Sequence, residues 1–445
     1  MPCSYAISGG IPVVPRNSLN RQILGLAVPA IVANITTPLL SLVDVAIVGR
    51  LGSAAYLGAI AVGGTMFNLL YWLFGFLRTG TSGLTAQAEG RQDAAGTSMT
   101  LCRSLALAIG FGTALVALHM PLGRLLLEGI GPDADTAPMA WRYFSILIWG
   151  APASLGAFAL TGWFIGRQDT RATMWISLLI NVVNIGSSLI LVWMLGWKIE
   201  GVATGTLIAQ WVGFAIALIY ARVRYRVTVP RADAIFRGNE LRRFFSINAD
   251  IFLRTLCLIA VTLWFTHAGA AQGSVMLAVN TLLMQFFTLF SYFMDGFAFA
   301  AEALCGKAQG ASDITLLRRT IRALMRFGAA MAVIFTALYF IGGEWFLGVL
   351  TTDDAVIAAA SDYRLWAVAV PFAGFMAFTW DGILIGTTRT RLMLASIAVG
   401  TGAFFLIRFL LAPTLANHSL WLAFLVYLLT RSLMPGNFFW ASSNK

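Results

Sequence analysis

Asp44 sits in an otherwise apolar run, Leu39-Leu-Ser-Leu-Val-Asp44-Val-Ala-Ile-Val48. A carboxylate in hydrocarbon costs several kcal/mol, so such a residue is expected to face the interior of a helix bundle. An environment that penalises the charged form makes an acid a candidate proton carrier. The plainer reading has Asp44 reaching the nearer interface to pair with Arg50. A second set of charges lies in the other half of the chain. Asp295 and Glu302 are seven residues apart, which places them on one face of a helix. Arg254 lies in the preceding segment, which runs the opposite way, at about the depth of Asp295. Asp250 and Glu302 share a shallower level. An Arg254–Asp295 pair is therefore expected, either as a structural clamp or as a second ion-coupling centre in which the arginine tunes the acid. Asp381, His119 and His267 fall near segment ends and are expected at the interfaces. Arg408 lies deeper, where packing and substrate contact are equally open.

Other chemistry is missing from the sequence. It has no nucleotide-binding loop, metal-ligand pair or nucleophilic triad, so neither an enzyme, a metal site nor a bound cofactor is expected. Cys3, Cys102, Cys257 and Cys305 lack redox or zinc spacing. No aromatic is assigned to the site, and the Phe and Trp stripes are expected to face lipid or the core.

The elements that must hold these charges are membrane spans. Hydrophobic residues make up 59% of the 445 positions and charged ones 11%. Soluble domains carry about 25% charged residues, so this chain has too little polar surface to be soluble. Mean hydropathy is +0.80. Apolar segments lie at 22–49, 57–79, 100–127, 138–165, 172–196, 201–221, 244–267, 273–305, 320–349, 361–385, 392–412 and 419–434. They are continuous rather than alternating, which predicts helices and not β-strands. The net charge of +11 fits basic cytoplasmic loops better than nucleic-acid binding. With the N-terminus inside and twelve alternating spans, only Arg50, Arg124, Arg142, Lys198 and Arg364 fall outside, and Arg78, Arg254 and Arg408 lie within helices. Both termini are thus expected in the cytoplasm of a multi-pass protein of the inner membrane. Residues 1–21 have no apolar core, so no signal peptide is expected there.

The two halves repeat at an offset of 220. Gly162, Gly166, Thr170 and Arg171 match Gly382, Gly386, Thr390 and Arg391. Tyr143 matches Tyr363, and Ala88-Glu-Gly90-Arg-Gln-Asp93 matches Ala308-Gln-Gly310-Ala-Ser-Asp313. Six spans per repeat give both halves the same orientation, with a transport site between or within them. The expected organisation is an N-terminal lobe at 1–221, a basic cytoplasmic linker at 222–243 that lies near anionic lipid, and a C-terminal lobe at 244–445.

Several motifs in this order resemble the multidrug and toxic compound extrusion (MATE) family, and within it the DinF-like branch. They are Pro29, Leu42-Val-Asp44 leading to Gly49-Arg-Leu-Gly52, Gly166-Arg-Gln-Asp-Thr170-Arg171, and Gly201-Val-Ala-Thr-Gly-Thr206. The second half adds Asn248-Ala-Asp250-Ile-Phe-Leu-Arg254 and Tyr292-Phe-Met-Asp295-Gly-Phe-Ala-Phe-Ala-Ala-Glu302. The resemblance covers nearly the whole chain. It implies an all-α protein of twelve transmembrane helices in two pseudo-symmetric six-helix bundles around a central cleft. It also implies an antiporter exporting cationic or amphipathic compounds against H⁺ or Na⁺. Asp44 then aligns with the family's proton-linked carboxylate, Pro29 with its helix-1 kink, and Asn184 and Thr206 with its polar network. Ser188 stands where many relatives have an aspartate, which removes a second acid and favours H⁺ over Na⁺. A monomer is expected. The rival is a lipid-linked oligosaccharide flippase of the same wider superfamily. Its cavity would need several arginines for pyrophosphate, and the sequence buries only Arg254 and Arg408 clearly.

Overall fold

The computed structural model describes residues 16–50, 54–231, 235 and 239–441. Cys3, Gly52, Arg237 and the two chain ends lie outside the described residues. The first half contains α1 (Arg16–Gly49), α2 (Ala54–Leu73), α3 (Phe76–Gly90), α4 (Ala94–Ala117), α5 (His119–Ile130), α6 (Thr136–Leu147), α7 (Ala151–Gly166), α8 (Thr170–Leu189) and α9 (Ile199–Tyr225). The second contains α10 (Asn239–Ala270), α11 (Ser274–Gly310), α12 (Ile314–Leu350), α13 (Asp354–Gly386) and α14 (Thr390–Ala441).

Among the described residues eleven stretches are long and apolar enough to cross a membrane. The last of them, in α14, holds two helices that meet at Ala416, whose backbone is left-handed at φ 42°. Gly400 packs against Tyr427, and Arg408 bonds Ser419, so the stretch doubles back on itself. Counted as two, it brings the spans to twelve. The pairs α2/α3 and α6/α7 each form one broken span.

The repeat expected from the sequence appears as matched local geometry. At the end of the molecule that carries the linker, which we call the linker end, four turns contain left-handed residues, Gln92, Gln168, Ser312 and Thr388. Gln92 and Ser312 are 220 apart, as are Gln168 and Thr388. After three of these turns an aspartate caps the next helix: Asp93 accepts from the Gly96 N–H at 2.7 Å, Asp169 from Ala172 at 3.1 Å and Asp313 from Leu316 at 2.8 Å. Each such cap is worth about 1 kcal/mol.

The same symmetry governs how the halves meet. A Cβ on Gly90 would strike the Lys307 carbonyl, and one on Gly310 the Gln87 carbonyl, again residues 220 apart. Only glycine lets these helix backbones approach so closely. One buried apolar cluster joins Ala27, Leu77 and Phe76 of the first half to Phe297, Ala301 and Ile383 of the second. These contacts come from the linker-end portions of the spans. In the broken second span, α3 packs widely on α10, α11 and α13, whereas α2, its far half, barely touches the second half. The bundles are therefore shut together at the linker end and parted at the other.

Candidate functional site

Asp44 lies five residues before the end of α1 and is buried, at 9% exposure. Its Oδ1 has no hydrogen-bond partner. The Tyr143 side chain of α6 comes within electrostatic reach of Asp44 and lies beside Thr206 of α9. Asn184 of α8 donates from Nδ2 to Thr206 Oγ1 at 2.9 Å, and that hydroxyl donates to the Val202 carbonyl at 3.0 Å. Ser188 is fully buried one turn beyond Asn184, against the backbone of Gly205, where a Cβ would collide with it. Four elements thus contribute to one run of polar side chains inside the first bundle, from Asp44 through Tyr143 and Thr206 to Asn184. Asp44 Oδ1, Asn184 Oδ1 and Ser188 Oγ are all buried without partners. Unsatisfied buried oxygens are costly, and a proton or small cation would relieve them. Arg50 does not pair with Asp44; its guanidinium stands 5.9 Å from the Trp193 ring. Tyr143 was not singled out for the site from sequence. Its signal was its repeat partner Tyr363, together with Gly63, whose missing side chain leaves room for the Tyr143 ring. Pro29 is buried in α1, which continues as a helix through it in this state.

The charges of the second half arrange themselves differently from the sequence expectation. Arg254 of α10 bonds Asp381 of α13 rather than Asp295. Arg431 of α14 donates to the same Asp381 oxygen at 2.7 Å. Asp381, expected at an interface, is thus the acceptor for two largely buried arginines. Asp381 lies five residues before the end of α13, on the side of the helix that meets α10 and α14, and level along the span does not specify that side. Asp295 lies within electrostatic reach of Arg254, Arg78, Asp381 and Glu302. Asp250 is drawn off to the side, where it accepts from Thr390 Oγ1 at 2.6 Å and lines a cavity of about 860 Å³ with Arg243 and Arg391. Arg408 bonds Ser419 and so belongs to the α14 hairpin.

Glu302 points across the seam between the halves. Its Oε1 lies 3.7 Å from Arg78 Nη1 of α3, and it faces Ser82, the residue 220 positions earlier. Nearer the linker end, Gln87 donates to the Gly386 carbonyl at 3.1 Å and to Thr388 at 3.0 Å. Arg243 donates to the Gln87 Oε1 at 3.2 Å. Toward the middle, Asn34 donates to the Tyr292 carbonyl at 3.3 Å. Polar contacts therefore close the seam from mid-depth to the linker end.

Two symmetric bundles, a seam shut at one end only, and lone buried charges within are the parts of a carrier. The MatE family model matches the chain twice, at residues 29–190 and 249–414, and the two matches begin 220 residues apart. The chain belongs to the MatE family. It is therefore a transporter and not an enzyme. The chain is 38% identical to DNA damage-inducible protein F of Escherichia coli, over 94% of this chain and 91% of that one. It is 24% identical to multidrug resistance protein MdtK of Edwardsiella ictaluri, over 93% of each. Its fold matches a solved structure described as the outward-facing conformation of a multidrug resistance MATE family transporter of the MOP superfamily, with a TM-score of 0.81 at 18% identity over 96% of each chain. The MatE fold agrees with the all-α reading, two six-helix bundles in a multi-pass membrane protein. The family match does not favour the flippase alternative.

Proposed function

We propose that this MatE protein exports small cationic or amphipathic compounds in exchange for protons, by alternating access. In this reading the lobes at 1–221 and 244–445 rock about the seam, and the linker at 222–243 joins them on the cytoplasmic side. The protein works as a monomer in the inner membrane with both termini inside, and the present state is open to the outside. Relatives named for multidrug resistance support the substrate class.

The observation that carries the choice of ion is the pocket around Asp44. It offers one carboxylate, one amide oxygen and hydroxyls, with Asp44 Oδ1, Asn184 Oδ1 and Ser188 Oγ unpartnered. One buried acid suffices to carry a proton. Sodium requires several hard oxygen ligands at once, and Ser188 supplies no charge. In the second half Asp381 is bonded to two arginines and Glu302 faces a third, which disfavours a bare metal cation there. The same pairing argues against a pyrophosphate-binding flippase cavity, because these arginines already face carboxylates. Pro29 is assigned as the hinge of α1: it lacks the N–H that would tie that turn, so bending there breaks no bond.

The test is uptake of tetraphenylphosphonium by everted membrane vesicles, with H⁺ and Na⁺ gradients imposed separately. Uptake driven by the proton gradient alone is expected. Uptake driven only by sodium, or none above vesicles lacking the protein, overturns the reading.

A further inference from the structure

The charge cluster of the second half is unbalanced on its own. Arg254 and Arg431 stand against Asp295, Asp381 and Glu302, one negative charge in excess when the acids are ionised. The missing cation comes from the other lobe. Arg78 of α3 stands 3.7 Å from Glu302 and within electrostatic reach of Asp295.

Arg78 is held in a different manner from the other two arginines. Arg254 and Arg431 hydrogen-bond Asp381 directly. Arg78 Nη1 remains 3.7 Å from Glu302 Oε1, and neither Arg78 Nη1 nor Glu302 Oε2 has a hydrogen-bond partner. The guanidinium lies 4.3 Å from the centre of the Phe299 ring, on the same helix as Glu302. Together Asp295, Phe299 and Glu302 form a cation site on α11, with a ring face between two carboxylates. In the state closed at the linker end, that site is filled by a side chain of the opposite lobe.

We propose that Arg78 is a tethered counter-cation that trades places with a monocationic substrate at Asp295, Phe299 and Glu302. This rests on the alternating-access reading above. When the linker end opens, Arg78 leaves with α3, and the excess negative charge and the Phe299 face are exposed to the cytoplasm. An organic cation enters and restores neutrality. When the lobes close, the guanidinium returns and the substrate is displaced toward the far side. An excess charge near the substrate attracts it at short range in a poorly screened site.

The experiment measures tetraphenylphosphonium affinity and transport for the full chain in nanodiscs and proteoliposomes. Arg78→Gln is expected to bind about tenfold tighter, because the excess charge is never cancelled. Its KM and kcat should fall together, since release has lost its competitor. Arg78→Lys should restore both towards wild type, which a purely structural role for the guanidinium would not do. Glu302→Gln should weaken binding about tenfold or more, and it serves as the test if Arg78→Gln fails to fold. Unchanged or weaker affinity in a folded Arg78→Gln, or unchanged affinity in Glu302→Gln, overturns the inference and leaves the exporter reading intact. A wild-type protein that neither binds nor carries tetraphenylphosphonium overturns both.

Discussion

Asp381 is the acceptor on which two arginines of the second half depend. Breaking a buried ion pair by removing one partner costs about 3–5 kcal/mol, because the other is left charged and unpaired. Asp381→Leu removes the carboxylate that both Arg254 and Arg431 bond, so it is expected to destabilise the protein by about that amount. Arg254→Met leaves the Arg431 bond at 2.7 Å in place and should cost less. The triple change to Met, Met and Leu should recover much of the loss. Thermal unfolding in detergent orders the variants; Asp381→Leu melting with wild type would show that the pairs contribute nothing. The single buried acid of the first half was legible in the sequence, because one charge in an apolar run has few places to go. Asp381 was not. Distance from an apolar boundary gives its level along the span but not the two arginines that approach from α10 and α14. The expected Arg254–Asp295 pair missed the third helix, α13, whose Asp381 takes the arginine instead.

At the scale of elements, hydropathy finds the part of a helix that meets lipid and misses the part that continues past it. The 320–349 segment is the apolar part of a helix that starts six residues earlier and spans Ile314–Leu350. The true starts were written in the caps: Asp93, Asp169 and Asp313 each follow a left-handed turn. Breaks within spans were invisible, since the interruptions after α2 and before α7 cost no apolar residues. The glycines at the seam recur at the 220-residue offset, and the structure gives their reason. Gly310 lies against the Gln87 carbonyl with no space for a side chain. Gly310→Leu is therefore expected to keep the lobes from shutting at the linker end and to reduce export to near background, while the protein remains folded. A cysteine introduced beside the seam should then react with a membrane-permeant maleimide faster than the same cysteine on the wild-type background. Equal reaction rates would mean that the close approach of α3 and α11 is not what seals that end.

For the whole molecule, the 220-residue offset told the most, because symmetry constrains every span at once. The sequence could not show which end of the cleft is shut, since both arrangements use the same helices. That is decided by small differences in packing at the seam. The placement of both termini and the linker in the cytoplasm is tested by a cysteine at Val229, exposed in the loop after α9. It should react with an impermeant maleimide only in permeabilised cells; reaction in intact cells would invert the topology. The central claim is that Asp44 exchanges a proton for substrate. It is tested most directly in Na⁺-free proteoliposomes carrying an internal pH dye, with wild type beside Asp44→Asn. For wild type, adding tetraphenylphosphonium on one side should move protons the opposite way, and its uptake driven by an imposed pH gradient should be lost to a protonophore. Asp44→Asn should fold, bind the cation and move neither. Proton-coupled exchange at the wild-type rate in folded Asp44→Asn, or wild-type transport that survives the protonophore and needs Na⁺, would contradict the account.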